Sequence, residues 1–183
     1  MLPGETNAGS FIPPEGARID NSSFAAIESH QADHLQIYNL DVRGSEPSVG
    51  TLTSHSFVGM NMGQNIVIQG ETFTDGIEYN GFEVIEIYLG GGRDEILITN
   101  TTEALHLLDL GAGDDLAEIM DVDGPFFVKG GLGADFVRVA SNESRLDKIS
   151  ALLMFDGGSY DDKNDSLLVD NSGDPGVDNV VNV

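Results

Sequence analysis

The residues with the clearest chemical potential are aspartates that close glycine-rich turns. Gly130-Gly131-Leu132-Gly133-Ala134-Asp135-Phe136-Val137-Arg138 follows the nonapeptide pattern G-G-x-G-x-D-x-U-x at every fixed position. Leu89-Gly90-Gly91-Gly92-Arg93-Asp94-Glu95-Ile96 and Leu110-Gly111-Ala112-Gly113-Asp114-Asp115-Leu116-Ala117 repeat its Gly-x-Gly-x-Asp core. Asp156-Gly157-Gly158-Ser159 opens the same way and reaches Asp165-Ser166-Leu167-Leu168-Val169 only after an insertion, Tyr160-Asp161-Asp162-Lys163-Asn164. Glycine admits left-handed backbone angles that turn carbonyls inward, and aspartate adds a charged oxygen. Hard oxygen donors of both kinds are what calcium takes, about six to eight per ion. Paired strands stack about 5 Å apart, so successive turns could share ions between neighbouring carboxylates. The candidate ligands are Asp94, Asp115, Asp135 and Asp165, with Asp114 and the backbone of Gly113, Gly131 and Gly133 completing the set. Arg93, beside Asp94, could put a guanidinium where a cation would sit, and Ala112 and Ala134 bring no extra oxygen. The competing account is that glycine and aspartate are simply good turn formers, and that the stack stands without metal.

Other constellations are weaker. His30 and His34 are four residues apart, a zinc spacing on a helix, yet no third ligand accompanies them. Asp121-Val122-Asp123-Gly124 and Asp174-Pro175-Gly176-Val177-Asp178 lack the spacing and glutamate of an EF-hand and read as turns. No Gly-x-Ser-x-Gly elbow or cysteine nucleophile is present, and Gly90-Gly91-Gly92-Arg93 leads to a strand rather than to a phosphate-binding helix. Carboxylates are plentiful, but with no Trp and four Tyr the aromatic platforms of a sugar-cleaving cleft are scarce. The chain does not read as an enzyme.

The composition agrees with a cation partner. Thirty-one acidic residues against 8 basic give a formal charge of -23, which excludes the Lys/Arg surface that nucleic acid requires. It also disfavours anionic membrane surfaces. Apolar residues at 40% are too many for a disordered acidic tail. Cysteine is absent, so disulfides and thiolate chemistry are excluded. No run of 18 or more apolar residues suggests membrane insertion, and Met1 leads into a polar Pro/Gly-containing segment rather than a signal peptide.

The elements that must position the aspartates are short strands. Ile85, Ile87 and Leu89 share one face of an alternating run, and Ile96/Ile98, Ala117/Ile119, Val137/Val139 and Leu167/Val169 each follow a motif aspartate. A period of two turns each pair toward a core. Second-side strands are expected at Ala104 to Leu110, Phe126 to Lys129 and Leu152 to Phe155. Asp94, Asp115 and Asp135 recur at 21 and 20 residues, one coil of two strands and two turns. Residues 1–17 read as an irregular lead-in or linker. Arg18-Ile19-Asp20, Phe24 to Ile27 and Asp33-His34-Leu35 recur as Arg145-Leu146-Asp147, Leu152 to Phe155 and Asp165-Ser166-Leu167. Residues 18–144 then form one unit, and 145–183 begin the next, continuous with it.

Over residues 89–138, and more loosely over 156–183, the Gly-Asp repeats resemble the hemolysin-type calcium-binding (RTX) region. That region's own coil is about 18 residues, built from two nonapeptides; here only one side of each coil carries the Gly-Asp turn. Gly76 to Asp94, with Gly-Ile-x-Tyr-x-Gly-x-Glu, a strand and Leu-Gly-x-Gly-x-Asp, is similar to a block in very large tandem-repeat surface and extracellular proteins. The resemblance implies an all-β, right-handed parallel β-solenoid of about 20 residues per coil, a β-roll or β-helix. It implies calcium as cofactor, with the motif aspartates as ligands, and a secreted, extracellular or cell-surface location. The expected function is a non-enzymatic, calcium-stabilised structural or adhesive module. Two alternatives are a self-assembling filament subunit that binds neighbouring copies, and a carbohydrate-binding or carbohydrate-modifying β-helix that meets surface glycans through Tyr79, Tyr88 or Tyr160.

Overall fold

The computed structural model describes residues 17–21, 25–29, 34–39, 49–59, 66–68, 71–73, 76–158 and 164–175. The lead-in, apart from Ala17, lies outside the described residues, as do His30, Asp33, Tyr160 and most of the insertion before Asp165. Among the described residues there is no helix, and none therefore long and apolar enough to cross a membrane.

Sixteen strands are described: β1 (Ala17–Asn21), β2 (Ala25–Ser29), β3 (His34–Asn39), β4 (Val49–Leu52), β5 (Ser56–Gly59), β6 (Ile66–Ile68), β7 (Glu71–Phe73), β8 (Gly76–Asn80), β9 (Val84–Leu89), β10 (Glu95–Ile98), β11 (Leu105–Asp109), β12 (Leu116–Ile119), β13 (Phe126–Gly131), β14 (Phe136–Val139), β15 (Leu153–Gly158) and β16 (Ser166–Val169). They form a nine-stranded sheet in the order β1-β2-β8-β5-β4-β10-β12-β14-β16, a five-stranded sheet β15-β13-β11-β9-β3, and the pair β6-β7.

The expectation of a single right-handed parallel β-solenoid is corrected here. The larger sheet is mixed: β1 runs antiparallel to β2, β4 to β5, and β5 to β8. The cause is local. Only Thr53, Ser54 and His55 separate β4 from β5, and the Thr53 hydroxyl oxygen accepts the His55 and Ser56 amides at 3.2 and 2.9 Å while the Thr53 amide donates to the Ser56 carbonyl at 2.8 Å. A reversal that short can only make an antiparallel neighbour, since a parallel one needs a long crossover.

From β9 onward the chain alternates between the sheets and every pairing is parallel. β9, β11, β13 and β15 follow one another in the smaller sheet, and β10, β12, β14 and β16 in the larger. Each successive pair makes a tier. The inward residues close the core: Ile85, Ile87, Ile96, Ile98, Ala117, Ile119, Val137 and Val139 are buried. Leu167 and Val169 do not follow that expectation. They are 51% and 47% exposed because β16 is the edge strand and no described strand pairs beyond it.

Candidate functional site

The turns between β9 and β10, β11 and β12, and β13 and β14 lie along one edge of the stack and carry the motif aspartates. Their side chains form a column. The Asp94 amide donates to Asp115 Oδ1 at 2.7 Å, the Asp115 amide to Asp135 Oδ1 at 3.0 Å, and the Asp135 amide to Asp165 Oδ1 at 3.0 Å. Each carboxylate thus fastens its own tier to the one before. Asp94, Asp115 and Asp135 are buried and Asp165 is partly so. Asp114 faces solvent and repeats the connection outside, accepting the Ala134 amide at 3.0 Å.

The candidate glycines set how closely these turns approach. Gly133 has φ +137, and a Cβ there would collide with the Gly113 carbonyl oxygen; Gly131, at φ +108, stands in the same relation to Gly111. Positive φ and the lack of room both demand glycine. The Gly90 and Gly111 carbonyls accept the Ala112 and Leu132 amides at 2.9 and 3.0 Å. Gly130 and Gly157 lie flat against Oδ2 of Asp135 and Asp165. At Asp135 and Asp165 bare backbone therefore lines the carboxylate.

The column is electrostatically uneasy. Burial raises the Asp115 pKa to about 7, against the lowering effect of the hydrogen bond from Asp94, and the charges of Asp135, Asp94 and Asp114 add to the rise. Asp115 Oδ2 is buried and has no hydrogen-bond partner. Such an atom costs about 1–3 kcal/mol, more if charged. Arg93, which stands next to Asp94 in sequence, turns outward and pairs with Glu95 at 3.2 Å. Lys129 holds Asp109 at 2.8 Å, Arg138 holds Asp170 at 3.3 Å, and Arg145 holds Asp147 at 3.2 Å.

As a cation site the donor chemistry fits in part. Asp115 Oδ2 is an orphaned hard oxygen, and its carboxylate feels the charges of Asp135, Asp94 and Asp114; oxygen donors are what calcium accepts. Among the described residues no three His, Cys, Asp or Glu side chains converge as a ready-made cluster. Backbone oxygens would have to supply much of the shell.

The remaining candidates scatter. Tyr79, expected as an exposed sugar platform, is buried at 3% exposure; its hydroxyl donates to the Thr53 carbonyl at 2.5 Å, and burial pushes its pKa up. Tyr88 lies on the outer face of the five-stranded sheet, stacked on Tyr38 with centroids 4.8 Å apart. His34 sits on a strand and its Nε2 meets Glu86 at 3.1 Å, so the helical zinc spacing does not apply. Asp121 to Gly124 connects β12 to β13 and bends at Asp123 and Gly124, with Val122 buried in the core, bridged to Ile149 and its amide on the Lys148 carbonyl at 2.9 Å.

Two further buried polar residues belong to no motif. Thr101 Oγ1 accepts the Asp123 amide at 2.9 Å across the opposite edge. His106 lies in the core, donates from Nδ1 to the Ala104 carbonyl at 2.9 Å and stacks on Phe126, while its Nε2 has no partner. The alternation of β11 could have flagged His106 as inward, because Leu108 shares its face.

No family model, no curated protein and no solved structure matches this chain.

Proposed function

We propose that the chain is a non-enzymatic structural or adhesive module of a large secreted or cell-surface repeat protein, stabilised by calcium. The observation that carries this reading is the buried aspartate column with its orphaned Asp115 Oδ2. Asp94, Asp115, Asp135 and Asp165, with Asp114 and the carbonyls of Gly113, Gly131 and Gly133, are the residues that would hold the ion. A bound divalent cation would supply positive charge where carboxylates are stacked and desolvated. The chain's own contribution is to fix those oxygens by backbone hydrogen bonds and glycine packing, so binding and folding are coupled. The charge of -23 supports a cation partner and speaks against nucleic acid.

The test is thermal unfolding in excess calcium, in excess magnesium and in chelator. At about 100 times its dissociation constant calcium adds about 2.7 kcal/mol, which for a chain of this size raises the melting temperature by roughly 5–10 °C. Equal melting in calcium and chelator removes calcium from the reading. A filament subunit is the second reading, favoured by the exposed apolar residues of the last tier.

A further inference from the structure

The short hairpin that makes the larger sheet mixed also opens a cavity. β9 and β11 are direct neighbours in the five-stranded sheet, but β8 and β10, which lead into them, are separated in the other sheet by β5 and β4. At about 5 Å per strand, the turns that leave β8 and β10 start about 15 Å apart and close to about 5 Å at β9 and β11. Gly81 to Glu83 and Thr99 to Ala104 therefore form the two sides of a wedge, with the hairpin tip at Thr53 to His55 across it. A pocket of about 320 Å³ lies there, lined from all three segments. β8, β9, β10 and β11 are each paired on both sides, so the cavity owes nothing to a free sheet edge.

Hydrogen bonds hold its walls. The Ser54 amide donates to Asn100 Oδ1 and Asn100 Nδ2 donates to Ser54 Oγ, both at 3.1 Å. On the other side the Tyr79 amide donates to the His55 carbonyl at 2.8 Å, and the Tyr79 hydroxyl to the Thr53 carbonyl. The hairpin tip is thus tied to both sides of the wedge, and a preformed site loses little to ordering when it binds.

The lining selects a kind of ligand. Tyr79, Phe82, Ile85 and Ala104, none more than 9% exposed, make an apolar floor that includes two aromatic rings. The rim carries the Asn80 amide, the Glu103 carboxylate and the Thr102 hydroxyl. Asn80 and Glu103 are exposed, and among the described residues neither side chain is engaged by a hydrogen bond or ion pair. Thr102 Oγ1 accepts the Ala104 amide at 3.2 Å and keeps its proton to donate. No lysine, arginine or histidine lines the pocket, so nothing balances an anionic ligand. An ammonium has donors only, and its ion pair with an exposed carboxylate contributes little. A hydroxyl both donates and accepts, which matches a rim that offers both.

We propose that this pocket binds a neutral polyhydroxylated ring, a single sugar residue, with its C–H face on the apolar floor and its hydroxyls on Asn80, Thr102 and Glu103. The site lies on the edge opposite the aspartate column and stands or falls separately from the calcium reading.

The experiment uses the whole chain, in calcium and in chelator. Glucose, galactose, mannose, fucose and N-acetylglucosamine are tested by saturation-transfer NMR, and glycans ending in these residues are tested on an array. Saturable binding of at least one ring is expected, with a dissociation constant of about 1 mM for so small a ligand. Glu103→Ala and Asn80→Ala should each weaken it about tenfold. Melting temperatures should stay unchanged, because both side chains are exposed. Binding of the free ring, or of the ring only at a glycan end, supports the proposal and tells a soluble sugar from a glycan. Absence of binding in both formats, binding unaffected by both substitutions, or preference for a butylamine probe over every sugar would each overturn it.

Discussion

Asp115 shows how a turn residue becomes a titrating structural element. The folded chain holds its proton up to about pH 7, whereas the unfolded chain releases it near the ordinary value of 3.8. The stability from this group is therefore complete below about 3.8 and is lost as pH rises through 7. His106 acts in the opposite sense: burial lowers its pKa, so stability falls as pH drops below the ordinary 6.5. In chelator, the melting temperature is expected to decline between about pH 4 and 7 through Asp115. Asp115→Asn keeps an acceptor for the Asp94 amide but removes the charge, so its decline should be shallower. Each 1 kcal/mol is worth roughly 2–4 °C in a chain of this length, which thermal melts across that range resolve. Parallel curves for the two proteins would show that Asp115 does not titrate in the fold. At this scale the sequence was informative about which aspartates mattered, because Gly-x-Gly-x-Asp fixes their place in the turn. It was silent on their partners: that Oδ1 of Asp115 meets the Asp94 amide follows from tier registry, which no local pattern encodes.

Strand positions were legible wherever a period of two coincided with a buried tier. β9, β10 and β12 alternate as their sequences require, with Ile85, Ile87, Ile96, Ile98, Ala117 and Ile119 inward. The same pattern in β16 leaves Leu167 and Val169 half exposed, because burial depends on a neighbouring tier and not on the strand itself. That difference is measurable. Ile119→Ala, in a fully buried side chain, is expected to cost about 2–5 kcal/mol. Leu167→Ala, which removes a half-exposed one, should cost below about 1 kcal/mol, in keeping with surface substitutions. Denaturant unfolding of the two variants checks the contrast, and equal losses would mean that the end of the stack is covered in solution.

For the whole molecule, the dominant quantity is the charge of -23 on 183 residues. Self-repulsion opposes the compact state, and exposed carboxylates are screened by salt over about 10 Å at 0.1 M. Raising sodium chloride from about 0.02 to 0.5 M in chelator is therefore expected to raise the melting temperature by a few degrees, with calcium adding to it only if it binds specifically. A melting temperature that falls with salt would indicate that ion pairs such as Lys129–Asp109 and Arg138–Asp170 outweigh the repulsion. The architecture at this scale is where the sequence-based expectation failed. A 20-residue spacing of Gly-Asp turns predicted one parallel winding throughout, but the turn at Thr53 to His55 forces antiparallel neighbours into the larger sheet.

By itself the sequence determined the all-strand character, the cation-favouring charge, the turn residues and the inward faces, since each follows from local sterics, periodicity or simple counting. The tertiary structure alone decided which strands are neighbours, that the larger sheet is mixed, that the aspartates fasten tier to tier, and that β15 and β16 are edge strands among the described residues. The tier-to-tier fastening depends on contacts between residues 20 or more apart, of which a chain carries no local record; the mixed sheet instead follows from the short turn at Thr53 to His55.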